Sequence, residues 1–175
     1  VIIDQAYVDF GAESADRLIA EFDNLLVVQT FSKSRSLAGL RLGYALGQAH
    51  LIEALQRVKN SFNSYPVDSL SEAIGMAALE DEPYFQECNR RVIDSRERLA
   101  QALAGLGFEV FPSSANFVFA RHPETAARTL YLELKSAGIL VRYFEAARID
   151  NCLRISIGTD AECDALIAGL KNILN

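Results

Sequence analysis

The segment that most constrains this chain is the apolar run Leu25-Leu26-Val27-Val28 together with the polar loop behind it. A run this short, bounded by polar residues, reads as a buried strand rather than a helix. Residues 30–41, Thr-Phe-Ser-Lys-Ser-Arg-Ser-Leu-Ala-Gly-Leu-Arg, make the loop, and residues 42–46 return to apolar character as a further strand. Lys33 is thereby placed where a strand gives way to a loop, at the edge where open α/β sheets bind ligands.

The remaining elements follow from the same alternation. Val1-Ile2-Ile3 reads as a short buried strand of a parallel sheet, ending at Asp4. Ser14 is placed to cap a helix to residue 22, with Leu18, Ile19 and Phe22 on one face. A helix over residues 49–59 carries the stripe Leu51, Ile52, Leu55, Val58, and small residues at 73, 75, 77 and 78 mark a closely packed helix over 67–80. Pro83 suits a helix start, and the charged stretch after it predicts a long bridging helix over 83–106, ended by Gly105 and Gly107. Strands are expected at 108–111, 116–120, 139–144 and 151–157, with a helix at 125–137 and a last helix capped by Asp160. The order predicts an α/β chain: part of a larger sheet over 1–82, the bridge, and a small α+β carboxyl-terminal domain over 107–175. Because residue 1 already lies in a strand and is not methionine, the sequence reads as a piece of a longer protein.

Composition narrows the function. Half of the residues are hydrophobic, enough for a packed core, and the net charge of −6 comes without a basic run. Neither nucleic acid nor an anionic membrane is therefore the expected partner. No apolar stretch is long enough to span a bilayer, and no signal-peptide pattern opens the chain. Cys88, Cys152 and Cys163 form no CxxC pair, which argues against zinc or a disulfide framework and for a reducing cytoplasm. His50 and His122 lack ligand-spaced neighbours and read as surface or helix-start residues. No metal is expected.

Chemistry gathers around Lys33. Hydroxyls at Thr30, Ser32, Ser34 and Ser36 and the guanidinium of Arg41 suit a phosphate. An amine that spends time neutral suits Schiff-base chemistry with an aldehyde. One ligand with both groups is pyridoxal phosphate. Asp4, also at a strand end, could oppose the pyridine nitrogen and keep it protonated, and Tyr7 could donate to the ring's phenolic oxygen. Taken singly, Lys33 and Arg41 also fit solvated loop charges, Asp4 a turn-capping acid, and Tyr7 a half-buried loop aromatic.

Asp4-x-Ala6-Tyr7, then Thr30-x-Ser32-Lys33, then Ala38-Gly39-Leu40-Arg41 resembles the fold type I aminotransferases. The full run from Thr30 to Arg41 is most similar to the histidinol-phosphate aminotransferase branch. Tyr65-Pro66, Asn116-Phe117-Val118 and residues 153–159 resemble later blocks of that family in order. The resemblance covers the whole chain but only the later half of the family's usual length. It implies the later part of a large cofactor-binding domain over 1–82 in an aspartate-aminotransferase-like fold, and a homodimer. It assigns Lys33 to the Schiff base and proton shuttling, Asp4 to the pyridinium nitrogen and Tyr7 to the ring oxygen. Thr30, Ser32 and Arg41 go to the cofactor phosphate, Arg154 to the substrate carboxylate and Arg142 to a second substrate anion. The implied reaction moves an amino group between glutamate and imidazole-acetol phosphate, on the way to histidine. Gln5 departs from the acid common in the family, and its side chain is expected to point away from the ring. The family's earlier half, with its phosphate loop, ring-stacking aromatic and cross-dimer tyrosine, has no counterpart here. The piece alone is therefore expected to be inactive. Two alternatives remain: decarboxylation of a phosphorylated amino acid with the same cofactor, and a non-catalytic chain that keeps the fold for binding.

Overall fold

The structure is a computed structural model that describes residues 1–174. It divides into two compact units, Val1–Asn89 and Arg90–Asn175. In the first, strands β1 (Ile2–Asp4), β2 (Leu26–Thr30) and β3 (Gly43–Gly47) pair in that order. β1 and β2 are parallel, with Asp4 opposite Val28, whereas β3 returns antiparallel to β2. The sheet is therefore mixed: the connection from β2 to β3 carries only a 3-10 turn, Ala38–Leu40, and no crossover helix. β1 is an edge strand with one neighbour. This explains why Val1 and Ile2 are largely exposed, 74% and 71%, where the sequence suggested burial. Val27 and the flanking Leu25, Leu26, Phe10 and Phe31 are buried.

Helices α1 (Ala49–Phe62) and α2 (Ser69–Glu80) come next. Asp68 caps α2, its carboxylate accepting from the backbone N–H groups of Leu70 and Ser71 and from the Ser71 hydroxyl. Gly75 permits close approach of α2, since a Cβ there would lie 2.7 Å from Leu42 Cδ2. The helix expected over 14–22 is a short 3-10 turn, Asp16–Ala20. The Ser14 hydroxyl does accept from Asp16 N–H, but it also donates to Gln5, and no second helical turn follows. Helix α3 (Glu82–Gly105) runs across the division between the units.

The second unit has the expected order of two strands, a helix, two strands and a helix. β4 (Glu109–Phe111), β5 (Phe117–Arg121), β7 (Leu153–Ser156) and β6 (Arg142–Tyr143) form an antiparallel sheet in that spatial order. Helices α4 (Ala127–Ser136) and α5 (Asp160–Leu174) supply Leu130, Leu134, Leu166 and Leu170, which pack with Leu99, Leu103, Val118, Leu153 and Ile155 in one core. Three boundaries differ from expectation. β6 has two residues rather than the six of 139–144, because it pairs on one side only, with the far end of β7. Helix α4 starts at Ala127 instead of 125; Asn151 Oδ1 accepts from the Ala127 N–H, so a distant residue caps it. Asp160 does not cap α5. Thr159 and Glu162 form a reciprocal capping box, and the Asp160 carboxylate accepts instead from Arg98 and Ser95.

His122 is 9% exposed, contacts Phe108 edge-on at 5.0 Å and accepts from the Thr125 N–H at 3.1 Å, a turn-stabilising role rather than a surface position. The three cysteines are unpaired. No group of metal-ligating side chains, and no helix long and apolar enough to cross a membrane, occurs among the described residues.

Candidate active site

The parallel pairing of β1 and β2 brings their carboxyl ends to the same side of the first sheet. Asp4 closes β1, and Thr30 closes β2 three residues before Lys33. The chain leaves β1 through Asp4, whose Oδ1 accepts from the Ala6 N–H at 2.9 Å. It then turns through Tyr7 into a 3-10 turn, Val8–Phe10, held down by buried Val8 and Phe10. This turn brings the half-buried Tyr7 to the lysine loop, with Lys33 Nζ 5.4 Å from the centre of the Tyr7 ring.

The lysine loop is tightly wound. Ser36 N–H donates to the Lys33 carbonyl at 3.0 Å and Leu37 N–H to the Phe31 carbonyl at 3.0 Å. Thr30 Oγ1 accepts from the Ser32 N–H at 3.1 Å. Ser36 and Arg41 both adopt left-handed backbone conformations, φ 56° and 54°. Such positions are uncommon for residues with a Cβ and concentrate at ligand-binding turns. Arg41 comes after the 3-10 turn Ala38–Leu40 and donates to the Ala38 carbonyl at 2.8 Å. Its guanidinium is exposed, and the successive N–H groups of such a turn make a concavity suited to an anion.

Two further residues of this loop are anchored to distant partners. Ser34 is buried and donates to the Asp9 carboxylate, so its hydroxyl faces the Tyr7 turn rather than a phosphate. Arg35 lays its guanidinium over the Phe85 ring at 3.8 Å, donates to the Ala78 carbonyl in the last turn of α2, and lies 3.8 Å from Glu82. The hydrogen-bond partners of Ser34 and Arg35 are 25 and 43 residues away, beyond the reach of any local sequence signal.

Gln5 is buried, and its amide oxygen accepts from Ser14 and from Gln29, which in turn accepts from the Tyr44 hydroxyl. The side chain is thus committed to this network. Burial, reinforced by the Asp9 charge, raises the Tyr44 phenol above its ordinary pKa, so it stays protonated.

In the second unit Arg142 and Arg154 stand directly opposite one another on β6 and β7. Opposed residues of an antiparallel pair put their side chains on one face, where like charges repel. Arg154 lies 4.3 Å from the centre of the Phe117 ring, and its Nε is buried without a hydrogen-bond partner among the described residues. Arg142 lies 5.4 Å from the Phe144 ring. Both line a cleft of about 510 Å³ with Leu140, Val141, Phe144 and Ser156. Two like charges held face to face, one with an unpaired buried donor, have the chemistry that could hold an anion.

The fit to pyridoxal phosphate is chemical. The first unit offers an amine beside a phenol, a carboxylate at the adjacent parallel strand end, and a hydroxyl-bearing turn with left-handed residues next to an exposed guanidinium. These are the donor types that an aldehyde, a pyridine nitrogen, a phenolic oxygen and a phosphate require.

Comparison with known proteins gives the family. The family described as aminotransferase class I and II matches residues 1–170, and the chain belongs to it. Among curated proteins it is similar to histidinol-phosphate aminotransferase 1 of Bordetella parapertussis, with 58% identity across the whole of this chain and 49% of that protein. Among solved structures, the histidinol-phosphate aminotransferase of Sinorhizobium meliloti in complex with pyridoxal-5'-phosphate aligns with a TM-score of 0.86 and 31% identity, over 99% of this chain and 48% of that one. The L-threonine-O-3-phosphate decarboxylase of Porphyromonas gingivalis aligns with a TM-score of 0.79 and 25% identity, over 99% and 54%. The chain spans about half the length of the curated relatives it matches.

Proposed function

We propose that this chain carries the lysine-bearing part of a pyridoxal-phosphate aminotransferase. The enzyme would exchange an amino group between glutamate and imidazole-acetol phosphate, forming histidinol phosphate and 2-oxoglutarate for histidine synthesis. The observation that carries the reading is Lys33 Nζ over Tyr7, at the end of a strand whose parallel neighbour ends in Asp4. Family membership and the identity to histidinol-phosphate aminotransferases support it.

When bound, the cofactor supplies an aldehyde that condenses with amines and a ring that takes up electron density from a carbanion. Every other role belongs to the chain. Lys33 would supply the amine that holds the cofactor and, as a free amine, would carry a proton between the substrate's α-carbon and the cofactor's C4′ carbon. Asp4 holds a proton on the ring nitrogen, and Tyr7 donates to the ring oxygen. Thr30, Ser32 and Arg41 bind the phosphate. Arg154 takes the substrate carboxylate through two parallel N–H donors, and Arg142 takes the second anion, the substrate's own phosphate.

The three free thiols support a reducing cytoplasm. Phe62, Tyr65 and Leu70 are large apolar side chains, 80%, 91% and 66% exposed, and their exposure supports burial against further polypeptide, including a second copy in a homodimer.

The test is to incubate the chain with pyridoxal phosphate, reduce with borohydride and map the modified lysine. Modification confined to Lys33, and lost in Lys33→Ala, is expected. Modification spread evenly over Lys33, Lys59, Lys135 and Lys171 refutes the reading. Phosphoamino-acid decarboxylation by the same lysine is the competing activity, favoured by the similarity to the P. gingivalis enzyme. In the longer protein, glutamate-dependent amino transfer without CO₂ release excludes it.

A further inference from the structure

We propose that Asp9 and Ser34 are a positioning pair that fixes the separation of Lys33 and Tyr7. Their part in amino transfer rests on the proposed role of Lys33, but the contact itself is a property of the chain.

Ser34 is the next residue after Lys33, and Asp9 lies two residues beyond Tyr7. The hydrogen bond from the Ser34 hydroxyl to the Asp9 carboxylate therefore joins the two turns immediately beside the groups that must face one ligand. It is partly shielded from water, with Ser34 7% exposed and Asp9 half-buried. A carboxylate acceptor makes it a strong bond of its type. The backbone bonds of the lysine loop, Ser36 to Lys33 and Leu37 to Phe31, close the loop on itself and do not reach the Tyr7 turn. Arg35 pulls the loop in another direction, toward Ala78 and Phe85. Alternate contacts thus hold the loop from two sides: Ser34 onto the Tyr7 turn, Arg35 onto α2. The Tyr7 turn is rigid in its own right, because Val8 and Phe10 are buried on either side of Asp9. Asp9 projects from a fixed base, and Ser34 brings Lys33 to it. The result is the 5.4 Å placement of the Lys33 ammonium against the Tyr7 ring.

That placement can be read without cofactor. Lys33 is half-buried and its Nζ is held against the Tyr7 ring, which shields it on one side, so Lys33 should react slowly with an amine-acylating reagent. Lys59, Lys135 and Lys171 serve as references within the same molecule. In Ser34→Ala and in Asp9→Ala, Lys33 labelling relative to these references is expected to rise by about two- to fivefold, the population change that an exposed ammonium–ring contact represents. The double variant should rise no further than either single one. Ser34→Thr, which keeps the hydroxyl, and Asp9→Asn, which keeps an acceptor oxygen, should restore slow labelling. Unchanged reference rates show that each variant is folded. Should either alanine variant fail to fold, the other and its conservative partner complete the test. An unchanged Lys33 rate in a folded alanine variant, a double effect equal to the product of the singles, or no rescue by either conservative variant overturns the proposal. The cofactor-trapping experiment can fail while this one succeeds, and the reverse, so the two readings are refuted separately.

Discussion

Replacing Arg154 by methionine should make the second unit more stable while destroying its affinity for anions. In the folded chain the Arg154 Nε is buried without a partner, a condition that costs about 1–3 kcal/mol. The ring of Phe117, 4.3 Å from the guanidinium, returns about 0.5–2 kcal/mol. Arg142, directly opposite, adds a repulsion of a few tenths of a kcal/mol. Methionine keeps an unbranched stem over Phe117, and its sulfur against the ring restores about 0.3–1.5 kcal/mol. The balance favours Arg154→Met by about 2 kcal/mol, which for a unit of this size is roughly 8–16 °C in Tm. The assay is thermal unfolding followed through amide exchange at Leu103 and Leu130, so that the transition is assigned to the second unit, with and without inorganic phosphate. Wild type should gain Tm as phosphate is added, and Arg154→Met should start higher and gain little. A variant that melts below wild type, or that keeps the full phosphate-dependent rise, would show that Arg154 is a structural residue and not an anion receptor.

Other outcomes rest on the same kinds of contact. Arg35→Ala removes the charged hydrogen bond to the Ala78 carbonyl and the stack on Phe85, so residues 1–89 should lose about 2–4 kcal/mol in urea unfolding; Arg35→Lys, which cannot stack its charge as a plane, should recover less than half. Leu103→Ala, at a fully buried position in the second core, should cost about 2–5 kcal/mol. Arg98 and Ser95 hold the Asp160 carboxyl below its ordinary range, Thr159 does the same for Glu162, and Ser71 for Asp68. In each case the unfolded chain binds the proton more readily, so the stabilisation is complete above the ordinary carboxylate pKa and fades as pH falls through the depressed values. Urea midpoints should therefore drop as pH falls below about 4, and Asp160→Asn should flatten that acid limb.

Much of the chain was legible residue by residue. Although β2 runs two residues past the expected Val28, to Thr30, the strand end at Asp4, the helix of residues 49–59, the glycine stop after α3 and the order of the second unit all follow from period and punctuation. Both signals are local. The residue types of the lysine loop were legible for the same reason, since a strand end, a run of hydroxyls and three cations lie within 12 consecutive residues. Boundaries set by distant partners were not. Asn151 fixes the start of α4, β7 sets the length of β6, and Arg98 draws Asp160 away from the cap that Thr159 and Glu162 provide.

The amino-acid order alone determined which side chains stand at the ends of which strands, because hydrophobic period and turn residues act over a few positions. Tertiary structure decided which of them meet. Ser34 looked like one hydroxyl among four until folding turned it toward Asp9, and nothing in the sequence showed that Arg35 would reach the Ala78 carbonyl and the Phe85 ring. The cross-strand pairing of Arg142 with Arg154 depends on the register of β6 against β7, and a shift of one residue would send the two side chains to opposite faces.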